Sequence, residues 1–347
     1  SCPFVDYGVM EMDFTKQCVN CSSEDCYPYA TYETKSNGMR TLLKCRDCGR
    51  CFSETQKTFM FNVKTPISKI ALILNARTEG MSFNATYRTH HISSHTLQCW
   101  ETKFGGIRDT LLLYSLTHTF VEMMIEGDEL YTKVNKNVPP SESEGWTVSL
   151  MDRASRFIWE LTCDKKEEAL FLKAMEQLVE IIEKTDDLTL LTDGERRYSA
   201  LLFEICHDLL RTGSRGRPKK VLKEGVKIRL KNKGSQSGKP GPKRDKYQTP
   251  KPEHPDTKQN IHNSDIHANH KEAQNAAYRR KNSTYRRKTN TYAKCKEGLQ
   301  RTLDLYWVIH NFVRRHFTTH EVPAVKIGIL KSEITLEDIM MNVEIAF

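Results

Sequence analysis

The chain has 347 residues, 38% of them apolar, and a formal net charge of +9. That length allows two or three domains, one large enough to bury a proper core. No stretch reaches the eighteen or so apolar residues of a bilayer crossing, and the opening "SCPFVDYGVMEMDF" lacks a basic n-region, so a soluble, intracellular protein with no membrane partner is expected.

The charge is unevenly spread. Residues 211–300 hold 25 Lys and Arg against 7 Asp and Glu, while the remainder is net acidic. A basic block inside an acidic protein reads as a polyanion footprint, most often nucleic acid. Eleven cysteines, several in C-x-x-C pairs, suggest metal rather than disulfides in a reduced compartment.

In chain order, residues 1–60 come first. Cys18-x-x-Cys21 and Cys45-x-x-Cys48 flank "YATYETKSNGMRTLLK", which reads as two short strands around a turn at Asn37-Gly38. Two such knuckles joined by a hairpin put four thiolates in tetrahedral reach of one structural zinc, the zinc-ribbon pattern. Cys26 and Cys51 are surplus, and either could replace a ligand.

Residues 61–108 carry three helical signals. Ile67, Ile70, Ala71 and Leu74 recur at helical spacing, and a second short helix is expected from about Ser82 to Thr89. Ser93 or Ser94 then caps a third helix with Leu97 and Trp100 as core anchors. This is a helix-turn-helix arrangement, with His95, Thr96, Gln98 and Lys103 as candidates to face a DNA groove. Three such helices also serve as plain connectors.

Residues 120–325 read as an α/β domain. "VEMMIEGDELYTKV" and "GWTVSLMDRASRFIWELT" have strand composition, and "KKEEALFLKAMEQLVEIIEK" is an amphipathic helix. "DLTLLTDGERRYSALLFEICHDLL" reads as a strand ending at Asp193-Gly194, then a helix. Residues 213–265 are expected to be a basic loop insertion with one candidate strand, "KEGVKIRLKN". In it, Arg215 and Arg217 of "SRGRPKK" match the Arg-Gly-Arg-Pro core of minor-groove arms. Regular helix is expected from about 267 to 316, and a tail helix within 326–347.

Asp128 lies in the first strand of this domain, Asp193 at the end of a later one, and Glu272 early in the C-terminal helix. Three carboxylates on separate elements suit shared hard cations, with two magnesium (or manganese) ions activating an attacking hydroxyl and stabilising a leaving oxygen at phosphorus. Taken singly, each acid has a structural reading. Glu126 shares a strand face with Asp128 and Glu129 points the other way; Asp152 suits a hairpin turn, and Asp186 and Asp187 a solvated cap.

Glu272 is the one acid of "HANHKEAQNAAYRRKNSTYRRKTN". Asn275 and Arg279 follow it at i+3 and i+7 on one helix face. Arg280, Arg286 and Arg287 extend a cationic track, and Tyr278 and Tyr285 are candidates to pack against sugar or base. A salt bridge to a neighbouring arginine is the plainer reading of Glu272, and a basic helix coating RNA is a further one.

Taken together, the order of C-x-x-C…C-x-x-C-G-R, "EGMSFNATYRTHHISSHTLQCW", "GDELYTKV…GWTVSLMDR", "LLTDG" and "HANHKEAQNAAYRRKNSTYRRKTNTYAK" resembles the DDE transposases of the insertion-sequence-one type. The resemblance spans about Cys18 to Ile339. It implies a ribonuclease H-like catalytic domain in which Asp128, Asp193 and Glu272 are the metal-binding triad. It also implies that His270, Asn275, Arg279 and Arg280 orient DNA or the acid. The partners implied are element terminal repeats, target DNA and further copies of the chain, at least a dimer on DNA, acting in the cytoplasm at the nucleoid. Two departures, the basic insertion and the surplus cysteines, touch no triad position. Two rival readings stay open: a catalytically idle regulator, and a nuclease that cuts without joining.

Overall fold

The computed structural model describes residues 17–34, 38–118, 123–135, 138–211, 216–231, 247–258, 261–262, 266–267, 269–286 and 290–342. It divides into two compact units, Ser1–His118 with Ser332–Phe347, and Thr119–Lys331.

The first unit opens with a three-stranded antiparallel sheet of β1 (Cys26–Thr34), β2 (Gly38–Cys45) and β3 (Cys51–Ser53), in that order. Asn37 lies outside the described residues, and Gly38 opens β2. The apolar core of this sheet is small: Cys18, Cys45 and Phe52, with Val19, Cys26, Leu43 and Cys48 against it.

Three helices follow: α1 (Ile67–Thr78), α2 (Phe83–His90) and α3 (Ser94–Thr117). The serine starts act as expected, because a serine Oγ accepts an N–H that the first turn leaves unpaired. Ser82 Oγ accepts from Ala85 N at 3.2 Å, and Ser93 Oγ from Thr96 N at 3.1 Å. Ile70 and Leu74 of α1 and Leu97, Trp100 and Phe104 of α3 are buried. A buried ion pair joins the two helices, with Arg77 Nε 2.9 Å from Glu101 Oε1. The same guanidinium covers the Phe83 ring at 4.3 Å and so holds the start of α2.

The second unit is built on β4 (Met123–Tyr131), β5 (Trp146–Asp152), β6 (Ile158–Asp164), α4 (Glu168–Ile182), β7 (Leu188–Thr192), α5 (Arg196–Ile205), β8 (His207–Leu210), β9 (Lys219–Leu222), β10 (Val226–Lys231) and β11 (Tyr247–Gln248). It continues through α6 (Asn269–Lys281), α7 (Lys296–Phe312) and α8 (Pro323–Lys326). The six-stranded mixed sheet has the order β11-β10-β7-β4-β5-β6, and β8 and β9 form a separate pair. β4, β5 and β6 are antiparallel, while β7 runs parallel to β4 and β10 parallel to β7. Such parallel pairings need long crossovers, supplied here by α4 and by the α5–β9 segment. Every residue of β7 is buried, as suits a strand inside the sheet.

The sheet contains the strand expected at "KEGVKIRLKN" and corrects other expectations. Within 213–265, "VKIRLK" is a full sheet strand with Val226, Ile228 and Leu230 buried. Gly225 leads into it at φ +80°, where an added Cβ would collide with the Asp186 carbonyl. Lys227 is also buried, its Nζ 2.5 Å from Asp187 Oδ1 and 2.9 Å from the Lys258 carbonyl. Asp187 is therefore a counter-ion to a buried ammonium rather than a solvated cap. The expected helix over 267–316 is interrupted, because α6 ends at Lys281, a 3-10 turn occupies Ser283–Tyr285, and α7 starts at Lys296.

Tyr278 and Tyr285 are core residues, 1% and 2% exposed, so neither presents a ring to a nucleic acid. The Tyr278 ring lies 4.8 Å from that of Tyr306, tilted at 53° to it, and the Tyr285 hydroxyl lies 2.5 Å from Thr147 Oγ1. At the edge strand β6, Asn311 of α7 accepts from Ile158 N and donates to Ile158 O, both at 2.9 Å. That amide blunts part of an edge that would otherwise invite pairing.

The chain then returns to the first unit. α9 (Leu336–Met341) starts in a capping box between Thr335 and Asp338, buries Leu336, Ile339 and Met340, and packs against α1. Among the described residues, no helix is long and apolar enough to cross a membrane.

Candidate functional site

The two C-x-x-C turns both lie at the open end of the β1–β2 hairpin, whose register sets Cys26 opposite Cys45. This brings Cys18, Cys21, Cys45 and Cys48 together, with all four sulfurs within 4.8 Å of one another. Cys18 Sγ is 3.5 Å from Cys48 Sγ, and Cys21 Sγ 3.6 Å from Cys45 Sγ. Four cysteines at that spacing are close enough to hold a metal ion. Burial opposes ionisation of Cys18, but hydrogen bonds from the Asn20 and Cys21 backbone outweigh it and lower its pKa. The backbone N–H of Cys48 does the same for Cys45. The surplus Cys26 points its thiol at the Ser23 carbonyl, 3.5 Å away, and burial pushes its pKa up to about 11. Cys51 is exposed on β3.

In the second unit, Glu126, Gly127, Asp128, Leu191, Asp193, Lys271 and Glu272 line one small cleft. Asp128 comes from β4, Asp193 from the residue after β7, and Glu272 from the first turn of α6. Because β4 and β7 are parallel neighbours, Gly127 stands opposite Thr192, and the next residue of each is an aspartate. Asp128 is half-buried and takes a 2.5 Å hydrogen bond from Asn275 Nδ2. Burial raises its pKa, Lys271 and Asn275 pull it back, and the Asp193 carboxylate adds to the rise. Glu272 is 66% exposed, with Oε1 3.5 Å from Lys231 Nζ. This is a salt bridge of the plainer reading, though to a lysine of β10, and an ion pair so exposed adds at most about 1 kcal/mol to stability.

The three acids share this cleft without converging on a point. Among the described residues, the sets whose ligand atoms all fall within 4.8 Å are the four cysteines and Glu126–His267–His270. A pair of ions about 3.5–4 Å apart divides its carboxylates between two centres, so such a triad does not require one point of convergence.

Lys271, assigned no role from sequence, and Glu126, weighed there only as a rival to Asp128, organise the cleft floor. Lys271 is fully buried, and its Nζ lies 2.5 Å from Ser149 Oγ. Ser149 is the cross-strand partner of Asp128, a relation that exists only once β4 and β5 are in register. Burial lowers the Lys271 pKa to about 8, against the pull of Asp128 and Glu126. Glu126 is 1% exposed; its Oε1 accepts from Arg153 Nε at 2.6 Å and its Oε2 from the Lys271 backbone N–H at 2.8 Å. Glu129, on the opposite face, is pushed up to about 7 by burial, with Lys166 opposing. The only sequence signal for Lys271 was a lysine set directly beside the lone acid of a basic helix.

The remaining candidates are dispersed. His95 and Gln98 are exposed at the start of α3, and Thr96 serves the Ser93 cap. Lys103 is half-buried and donates to the Phe59 carbonyl at 2.7 Å. On α6, His270 and Arg279 are half-buried and Arg280 is exposed, while Arg286 reaches the Arg280 carbonyl at 3.3 Å. Arg217 is exposed; Arg215 and Arg287 lie outside the described residues. No family model and no curated protein matches the chain.

Proposed function

We propose that this chain is a DNA transposase of the DDE type, cutting at element ends and joining them to target DNA. The observation that carries the reading is that Asp128, Asp193 and Glu272, from three distant segments, line a single cleft. Three antiparallel strands continued by two parallel ones through crossovers, with the short antiparallel β11 at the edge, make a sheet compatible with a ribonuclease H-like catalytic domain.

The donor sets suit two kinds of metal. Four clustered thiols, two of them with lowered pKa, fit a structural zinc, and a zinc there would fasten a sheet whose own apolar core is small. Carboxylate oxygens in an open cleft fit magnesium or manganese, and Asp128, Asp193 and Glu272 would hold them. Bound there, two such ions would activate the attacking oxygen and stabilise the leaving oxygen at phosphorus.

The chain's own residues do the rest. Asn275 fixes the orientation of Asp128, and buried Lys271 offsets the charge of the gathered acids. Arg280, Arg286 and neighbouring bases of α6 hold the phosphate backbone, while the exposed start of α3 with His95 and Gln98 reads the terminal repeat. Water first opens a phosphodiester to leave a 3′ hydroxyl and a 5′ phosphate, and that hydroxyl then attacks a phosphodiester of target DNA, whose own 3′ oxygen leaves as a hydroxyl. Bringing two ends together calls for at least a dimer, working on DNA at the nucleoid.

The test is incubation with labelled element-end DNA, a plasmid target and magnesium, beside Glu272→Gln. End-nicked and joined products from the parent alone are the expected result. Equal joining by the variant removes Glu272 from the triad. Tight binding without cutting by either protein favours an idle regulator, and nicking without joining favours a nuclease.

A further inference from the structure

We propose that Glu126, His267 and His270 form a further metal site in this chain, beyond the cysteine cluster and the acidic triad, for one divalent ion that prefers imidazole, of the zinc or cobalt class. The three residues each turn one ligand atom to within 4.8 Å of the other two. They come from different places: Glu126 from the middle of β4, His267 from the segment before α6, and His270 from the first turn of α6. The two imidazoles sit with ring centroids 5.0 Å apart at 58°, so neither is stacked flat on the other and both edges stay available.

A second observation points to a ligand. His267 Nδ1 is buried, yet has no hydrogen-bond partner among the described residues. A buried ring nitrogen in that state has given up water without replacement, and coordination to a cation is one way to satisfy it. Glu126 is already oriented for the task. Arg153 Nε holds one of its oxygens and the Lys271 N–H the other, and each oxygen keeps a further lone pair. Hydrogen bonds that aim a ligating carboxylate in this way are the usual outer support of a metal site.

The chemistry selects the ion. Two imidazoles and one carboxylate suit zinc, cobalt or nickel, whereas magnesium prefers an all-oxygen shell with several waters. The positive charge of Arg153 and Arg156 nearby weighs against any cation bound by charge alone, so the imidazole nitrogens must supply the affinity. Occupancy would tie the start of α6, which carries Glu272, to the strand that carries Asp128. The site does not depend on the transposase reading.

The test uses the full chain with zinc already in its cysteine cluster, dialysed against cobalt(II) with excess magnesium present. One cobalt per chain, taken up without a thiolate-to-cobalt absorption band and with imidazole scattering in its X-ray absorption spectrum, is the expected result. His267→Asn combined with His270→Asn should weaken that uptake at least tenfold, while Glu272→Gln leaves it unchanged. Cobalt found only on thiolates, a bound cobalt without imidazole ligands, or undiminished uptake by a folded double variant would each overturn the proposal. The spectra of the parent decide the matter even if the double variant fails to fold. Loss of cleavage in Glu272→Gln with intact cobalt uptake separates this site from the catalytic reading, whereas loss of cobalt uptake in that variant would overturn the proposal.

Discussion

The side-chain amide of Asn275 donates to Oδ2 of Asp128 across 2.5 Å and so joins α6 to β4. Glu272 lies one helical turn before Asn275, so the contact that fixes Asp128 also sets where Glu272 meets the cleft. Asn275→Ala should lower end cleavage by roughly tenfold to a hundredfold through lost positioning. It should also cost about 1–2 kcal/mol of stability, because a buried hydrogen bond is lost. Asn275→Asp should be worse for cleavage, since it sets a second carboxylate against Asp128. Parallel cleavage assays and urea titrations check this, and a fully active Asn275→Asp would show that Asp128 is not positioned from α6.

Metal removal separates the four clustered cysteines from the surplus two. A chelator, or Cys18→Ser or Cys45→Ser, should release zinc and melt β1–β3, because little apolar surface holds that sheet. Cys26→Ser and Cys51→Ser should keep the zinc. Zinc content per chain, read beside amide exchange of β1–β3, provides the check.

Lys227 and Asp187 form a buried pair between β10 and the entry to β7, with Lys227 1% exposed. Asp187→Asn leaves the ammonium buried without its counter-charge and should cost about 3–5 kcal/mol. Replacing both by apolar residues of similar size, Lys227→Met with Asp187→Leu, should recover much of that loss. Urea midpoints of the two proteins distinguish a structural pair from a solvated cap, for which both changes would be nearly silent.

His310 makes the second unit sensitive to acid. Burial lowers its pKa to about 3; the hydrogen bond to the Arg156 carbonyl works the other way, and His316, Arg314 and Lys281 add to the lowering. Between the unfolded value near 6.5 and about 3, the unfolded chain binds a proton that the folded chain does not. The contribution of His310 is therefore complete above pH 6.5 and is lost as pH falls toward 3, on the order of a few kcal/mol. A plot of melting temperature against pH should be flatter over that window in His310→Gln. Equal slopes would mean that His310 is not the group responsible.

Local chemistry made several elements legible from residue order alone. Ser82 and Ser93 start helices because a hydroxyl satisfies an N–H within its own turn. The C-x-x-C pairs cluster because each knuckle is closed within four residues and a hairpin sets the pair face to face. β7 is readable because five consecutive residues are suited to burial.

The rest depended on partners far away in the chain. Lys227 reads as one more base in a basic stretch until parallel pairing with β7 places Asp187, forty residues earlier, against it. Tyr278 and Tyr285 look like stacking platforms on a cationic track, yet their rings enter the core because α6 and α7 close over the sheet. Asp128 and Asp193 become neighbours only through the register of β4 on β7, and Lys271 joins them only because Ser149 lies across from Asp128. Helical and strand periodicity, caps and metal spacing act over a few residues and are written in the chain. Which charges share a cleft is set by strand register and helix docking, and no local pattern encodes those.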